Sequence, residues 1–171
     1  MRILLTTILF LCFKVLISQS VFPHNSVHGS TKEPLKIHVK NEIGEKSFLT
    51  SHMPKDKIYL VSVWATWCSR CRAELKALQE VHCRWSEEYD FELIAVSIDT
   101  PTDHPKVFKM AKKMKWDFKV VHDEYGYLVR ELDVFSLPRM FLVDRKGNIV
   151  FEPKGYSPSA LMDLEERIKA L

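Results

Sequence analysis

IYLVSVWATWCSRCRAE, residues Ile58 to Glu74, is the stretch from which the rest of the chain is read. Its first half, Ile58 to Trp64, is a nearly continuous run of β-branched and aromatic residues. Such a run fits a central strand buried on both faces. From Ser69 to about Glu88 the period changes. Leu75, Leu78, His82 and Trp85 recur at spacings of three and four, with Ala77 and Val81 alongside, as on the apolar face of a helix. Cys68 and Cys71 fall at the junction. Two cysteines three apart at a helix start can close a small ring. The first lies where unpaired backbone N–H groups and the helix dipole stabilise a thiolate. Such placement lowers a thiol pKa from about 8.5 to anywhere between roughly 3.5 and 7.5. Cys68 is therefore expected to be the exposed nucleophile, with Arg70 and Arg72 adding positive charge. Cys71, one turn further in, is expected to be the less accessible thiol that resolves a mixed disulfide.

The alternative for a Cys-x-x-Cys pair is half of a zinc site, which needs a second pair of ligands. Cys83 is twelve residues beyond Cys71, about 18 Å along a helix. That is too far to share a metal or a disulfide, whose Cα atoms lie within about 7 Å. His82 and Cys83 are adjacent and face different sides. No metal and no cofactor beyond the Cys68–Cys71 pair is expected, and Cys83 reads as a packed helix residue.

Working outward, Leu35 to Val39 alternates as a half-buried strand does, and Lys46 to Leu49 returns after a turn. Phe91 to Ile98 is a second buried strand. Asp99 to Pro105 reads as a loop punctuated by Pro101 and Pro105. Lys106 to Lys115 is a basic amphipathic helix whose lysines form a solvated face. Phe118 to Val121 is a short strand, Glu124 to Leu132 a short helix, and Val134 to Pro138 a loop. Met140 to Val143 and Asn148 to Glu152 form a hairpin about Asp144–Gly147. Ser159 to Leu171 is a last helix with Leu161, Leu164, Ile168 and Leu171 on one face. Strands linked by helices with a closing hairpin imply an α/β fold: a central mixed sheet flanked by helices, with an N-terminal strand extension.

The chain has 171 residues and a formal charge of +3. Residues 1–20 hold two of the 25 basic residues and none of the 22 acidic ones, so the remainder is nearly balanced. That balance gives no electrostatic case for nucleic acid. Residues 1–20 read as a secretory signal: Arg2, then the apolar run Ile3 to Phe13, then small residues at Ser18 and Ser20. The run is short of the ~20 residues that span a bilayer, although a retained N-terminal membrane anchor is the alternative. Cys12 is a hydrophobe within it. Residues 21–34 read as a linker, with His24 and His28 solvated, and residues 35–171 as one domain.

Trp64-Ala65-Thr66-Trp67-Cys68-Ser69-Arg70-Cys71 resembles the active site of the thioredoxin superfamily. The form WATWCxxCRxE is most similar to the TlpA-like exported thiol–disulfide oxidoreductases. VSID at Val96–Asp99 and LPRMFLVDRKG at Leu137–Gly147 extend the resemblance, which covers residues 35–171. It implies a thioredoxin-like fold and further site residues. A cis peptide bond is implied between Leu137 and Pro138, with Leu137 pairing its backbone with bound substrate. Glu74, three residues after Cys71 and on its helix face, matches a carboxylate of the family. Buried, its pKa would be raised, and it would exchange a proton with the resolving thiol. Trp67 is implied to pack over the disulfide. Arg139 departs from the family pattern, and places a cation beside the substrate groove. The implied activity is reduction of disulfides in exported proteins, in the periplasm or facing it from a membrane anchor. Electrons would come from a membrane dithiol donor.

An oxidant or isomerase of the same fold is the near alternative, and a client-binding module without catalysis the distant one. A peroxidase would have its cysteine in a Thr-x-x-Cys setting. Here Thr66 stands two residues before Cys68.

Overall fold

The computed structural model describes residues 36–153 and 157–171. The expected signal and linker lie outside the described residues, as does Leu35. The strands are β1 (His38–Lys40), β2 (Lys46–Phe48), β3 (Ile58–Trp64), β4 (Phe91–Ser97), β5 (Lys119–His122), β6 (Arg139–Val143) and β7 (Ile149–Phe151). The helices are α1 (Ser69–Tyr89), α2 (His104–Met114), α3 (Tyr127–Glu131) and α4 (Pro158–Lys169), besides two short 3-10 turns.

The strands form one sheet in the order β2-β1-β5-β4-β3-β6-β7. β3, β4 and β5 run parallel, and β6 runs antiparallel beside β3. Every residue of β3 is buried, as its composition predicts. Because side chains alternate across a strand, its two faces feed two cores. Ile58, Leu60 and Trp64 pack with Leu75, Leu78 and Trp85 of α1, Val107 and Phe108 of α2, and Leu164 and Ile168 of α4. Tyr59, Val61 and Val63 pack against the opposite face with Leu128 of α3, Leu49 and Val39. α1, α2 and α4 therefore cover one side of the sheet and α3 the other.

The elements match the expected order, with edges moved by capping chemistry. α2 starts at His104 rather than Lys106. Pro105 lies in its first turn, where proline's missing N–H has no helical partner to lose. α3 starts later than expected. The Asp123 carboxylate accepts from the Tyr127 and Leu128 amides at 2.8 Å each, holding residues 123–126 as a turn before the helix. Leu49 opens a 3-10 turn instead of ending β2. Leu171 lies past the end of α4 and is largely exposed. Ser157 caps α4, its hydroxyl accepting from the Ala160 amide. In the β6–β7 turn, Asp144 accepts from the amides of Lys146 and Asn148, and Gly147 takes φ +90°.

Asp99, two residues past β4, joins the sheet to the segment before the cysteines. Its buried carboxylate accepts from the Thr66 amide at 2.8 Å, the Thr66 hydroxyl at 2.6 Å and the Ser97 hydroxyl at 2.7 Å. Its carbonyl oxygen can only accept, so His122 Nε2 donates to it at 2.8 Å. His122 Nδ1 is then the acceptor for His104 Nδ1–H at 3.0 Å. Asp99→Ala leaves the buried Thr66 amide and hydroxyl without partners. It is expected to lower stability by about 3 kcal/mol, measured by urea unfolding; a loss under about 0.5 kcal/mol, the range of featureless surface sites, would show that the segment is held in another way.

Candidate active site

The site is built at the C-terminal end of β3. The chain leaves the sheet at Trp64, turns through Ala65–Trp67 and enters α1. Cys68 is the residue that caps α1, in extended conformation, and its Sγ accepts from the Cys71 amide at 3.1 Å. The cap position is where the first free N–H groups of a helix converge. The first cysteine therefore sits where the sequence pattern puts a thiolate. Cys68 and Cys71 are joined by a disulfide, with Cα atoms 5.3 Å apart.

Cys68 is only 8% exposed and Cys71 fully buried. Cys68, expected to be exposed, is nearly buried in the disulfide form because its sulfur packs into the apolar layer, although it remains the more accessible of the two. Both sulfurs belong to the apolar layer containing Trp64, Leu75 and Met140, with Leu137 packed against it. Trp67 is 69% exposed. Its indole stands at the surface next to Cys68 in the chain.

β6 brings the second half of the site. Its antiparallel register places Arg139 opposite Val63. Ser136–Pro138 therefore lies at the same sheet end as Ala65–Cys68. The Leu137–Pro138 peptide bond is cis. Cis is cheap only before proline, so the residue type and the backbone agree. Leu137 packs against both cores. Phe135, two residues earlier, is 91% exposed. The sequence reading assigned it nothing, because a single apolar residue in a loop carries no period to read.

Arg139, read from the sequence as a cation beside the groove, has a partner. Its guanidinium pairs with Glu152 across the β6–β7 hairpin and lies 5.7 Å from the Phe141 ring centre. Its charge is largely answered within the fold. Arg70 is exposed beside the pair, whereas Arg72 donates to the Thr66 carbonyl at 2.7 Å and so steadies the turn before Cys68.

Glu74 is fully buried, as the proton-exchange reading requires. Burial pushes its carboxyl up to about 7, and a hydrogen bond from Ser62 acts in the opposite direction. Ser62 Oγ lies 2.9 Å from Glu74 Oε1. Oε2 is buried with no hydrogen-bond partner. A carboxyl near pH 7, one turn behind a buried thiol position on the same helix face, is a group able to hold or release a proton. Cys83, expected to be packed, is a free and exposed thiol; the helix turns Leu75, Leu78, His82 and Trp85 inward and leaves position 83 outside.

Ser62 and Asp99 are the supporting residues that sequence reasoning missed, and Arg72, read there only as added positive charge, also ties down the Thr66 carbonyl. Ser62 carried one signal: it is the one small polar residue in an otherwise apolar and aromatic strand, on the face of Leu60 and Trp64. Asp99 was noted only as part of a resembling motif, and nothing in its spacing points to Thr66.

Comparison with known proteins agrees with this geometry. The chain is 29% identical over 143 residues to the thiol-disulfide oxidoreductase ResA of Bacillus thuringiensis subsp. konkukian, covering 77% of this chain and 80% of the relative. It is 30% identical over 111 residues to the thiol:disulfide interchange protein DsbE of Haemophilus influenzae, covering 64% of this chain and 58% of that protein. A solved thioredoxin-like protein from Porphyromonas gingivalis superposes with a TM-score of 0.71 at 33% identity, covering 80% of this chain and 89% of the other. Residues 32–152 match the AhpC/TSA family. With a disulfide-bonded Cys-x-x-Cys pair capping the helix after a central strand, the chain belongs to that family and is a thioredoxin-like thiol–disulfide oxidoreductase of the TlpA-like kind.

Proposed function

We propose that this oxidoreductase acts outside the cytoplasm as a reductant of disulfides in exported proteins. The observation that carries the reductive direction is Glu74, buried behind the buried Cys71 with its carboxyl raised to about 7. Strong dithiol oxidants owe their potential to a reduced form stabilised as thiolate. Here the resolving sulfur lies in an apolar layer beside a group that becomes an anion near neutral pH. Both features disfavour a Cys71 thiolate. The reduced form therefore draws thiolate stabilisation from Cys68 alone, and we take the pair to be biased toward giving electrons away.

In the proposed cycle, the Cys68 thiolate attacks one sulfur of a client disulfide. The other client sulfur leaves as a thiolate and takes a proton from water. The Cys71 thiol gives its proton to the Glu74 carboxylate, and the resulting thiolate attacks Cys68 Sγ. The second client sulfur leaves and is protonated. The client has gained two electrons and two protons, and the protein holds the Cys68–Cys71 disulfide. A membrane dithiol donor restores the reduced pair through the reverse exchange, with Glu74 returning its proton to Cys71. Trp67 and the Leu137–Pro138 turn supply the surface against which an extended client segment lies, and Arg139, paired with Glu152, forms its margin. Residues 1–20 supply export, either as a cleaved signal or as a membrane anchor. Thr66 donates its hydroxyl to Asp99. That commitment supports disulfide exchange over peroxide chemistry at Cys68.

With a dithiol donor, the purified protein is expected to speed reduction of a model protein disulfide, and Cys68→Ser to abolish this. Its potential is expected nearer −270 mV, as for a reductant, than about −120 mV, as for a strong oxidant; a value near the latter would reverse the proposed direction. Cys71→Ser is expected to accumulate mixed disulfides with clients in cells, resolved by non-reducing electrophoresis and identified by mass spectrometry. Recovery of the chain in the cytoplasmic fraction with residues 1–20 intact would contradict export. Glu74→Gln is expected to slow release of the mixed disulfide about 100-fold at pH 7, with formation of the mixed disulfide unchanged, in rapid-quench measurements. The same variant tests the stability linkage. Between about pH 4.5 and 7 the folded protein holds the Glu74 proton that the unfolded chain has lost, so wild-type stability falls as pH rises across that window and levels off above it. Glu74→Gln is expected to remove that part of the slope in urea unfolding.

A further inference from the structure

We propose that Ser62 is a positioning residue for proton transfer: its hydroxyl occupies Oε1 of Glu74 in both protonation states, which leaves Oε2 as the oxygen that carries the mobile proton. The proposal rests on the reading of Glu74 as the proton partner of Cys71.

The placement of Ser62 is fixed by the sheet. It pairs with Ala95 of β4 on one side and Met140 of β6 on the other, so its backbone is held at the centre of the molecule. It shares strand parity with Leu60 and Trp64, whose side chains lie in the layer that holds the cysteines. Ser62 is fully buried, and its hydroxyl is 2.9 Å from Glu74 Oε1. A hydroxyl in that position is conspicuous because its neighbours in the sheet are apolar: Leu60 and Trp64 on its own strand, Leu93 and Ala95 on β4, and Met140 and Leu142 on β6. Cys71 is the titratable neighbour on the face of α1. Desolvation and the Ser62 hydroxyl are the influences on Glu74 ionisation, with no charged side chain among the described residues contributing.

The chemistry follows from the inventory of the two groups. An ionised carboxylate only accepts, so Ser62 must donate to Oε1. When a proton arrives, it goes to the oxygen without a donor. That oxygen is Oε2, the buried atom with no partner. Oε1 is then a carbonyl oxygen and still accepts from Ser62. The contact persists through the cycle and the carboxyl does not have to turn over. A donor binds a carboxylate more strongly than it binds a neutral acid, so Ser62 also keeps the group ionisable near neutral pH against the effect of burial.

The test uses Ser62→Ala and Ser62→Thr in the full chain, with two readouts. One is the carbon-13 carboxyl titration of Glu74 by NMR. The other is the pH dependence of single-turnover reduction of a model protein disulfide by the reduced enzyme. Ser62→Ala is expected to move both the Glu74 titration and the acid limb of the rate profile upward by about one pH unit. On the acid side the rate falls about tenfold, and it recovers at higher pH. Ser62→Thr, which keeps the hydroxyl, is expected to restore both. If Ser62→Ala does not fold, Ser62→Val set against Ser62→Thr makes the same comparison, because the two are equal in shape and differ in the hydroxyl. A Glu74 titration unmoved by loss of the hydroxyl overturns the proposal. The reading of Glu74 then survives, provided Glu74→Gln still removes the acid limb. An acid limb that persists in Glu74→Gln overturns both.

Discussion

Glu74 is a carboxyl side chain enclosed between β3 and α1, with one hydrogen-bond donor for its two oxygens. Taking an ionised carboxylate out of water without compensation is strongly unfavourable, and a protein answers by shifting the group's pKa. The shift here is toward neutrality. A carboxyl that would stay ionised at the surface becomes one that changes state near pH 7. It lies three residues after Cys71 on one helix face, which in the proposed cycle makes the resolving cysteine its partner. Cys71 is buried in the apolar layer of Leu60, Trp64, Leu75 and Met140, and Glu74 is bonded to Ser62 on the strand that supplies Leu60 and Trp64 to that layer. Packing and proton chemistry are here one arrangement.

The disulfide is held from three directions. α1 offers its free N–H groups to Cys68 at the cap position. Asp99, from the end of β4, fixes Thr66 through its amide and its hydroxyl. Arg72 reaches back from the first turn of α1 to the Thr66 carbonyl. The Ala65–Trp67 turn is therefore tied to the sheet and the helix by groups on both sides. β6 then delivers the cis Leu137–Pro138 bond to the same end of the sheet. The exposed surfaces of Trp67 and Phe135 are what this rigid frame presents outward.

The fold was largely legible in the sequence because period is a physical signal. The nearly continuous apolar run of β3, the three-and-four spacing of α1 and the Asp-x-x-Gly hairpin each have one economical structural solution. Edges were less legible, since they depend on single capping groups: Asp123 delays α3, and Pro105 lies inside α2 rather than before it. The cysteine pair was legible as local chemistry at a helix start. Glu74 and Leu137–Pro138 came through resemblance, and the structure adds their burial and backbone form. Ser62, Asp99 and Arg72 act through contacts between residues distant in sequence or across layers, which no local period encodes. Arg139 shows the converse. A cation read from the sequence beside the groove has a partner in Glu152, which the β6–β7 hairpin brings near and no local pattern announces.

Treating Glu74 and Cys71 as one proton-sharing unit is the claim on which the rest turns. The direct measurement is the titration of the Cys71 thiol in the reduced protein, followed by NMR in the wild type and in Glu74→Gln. Coupled groups titrate in steps that belong to the pair. The account predicts a biphasic Cys71 titration in the wild type that collapses to a single step in Glu74→Gln. A single-step Cys71 titration that is the same in both proteins would contradict it.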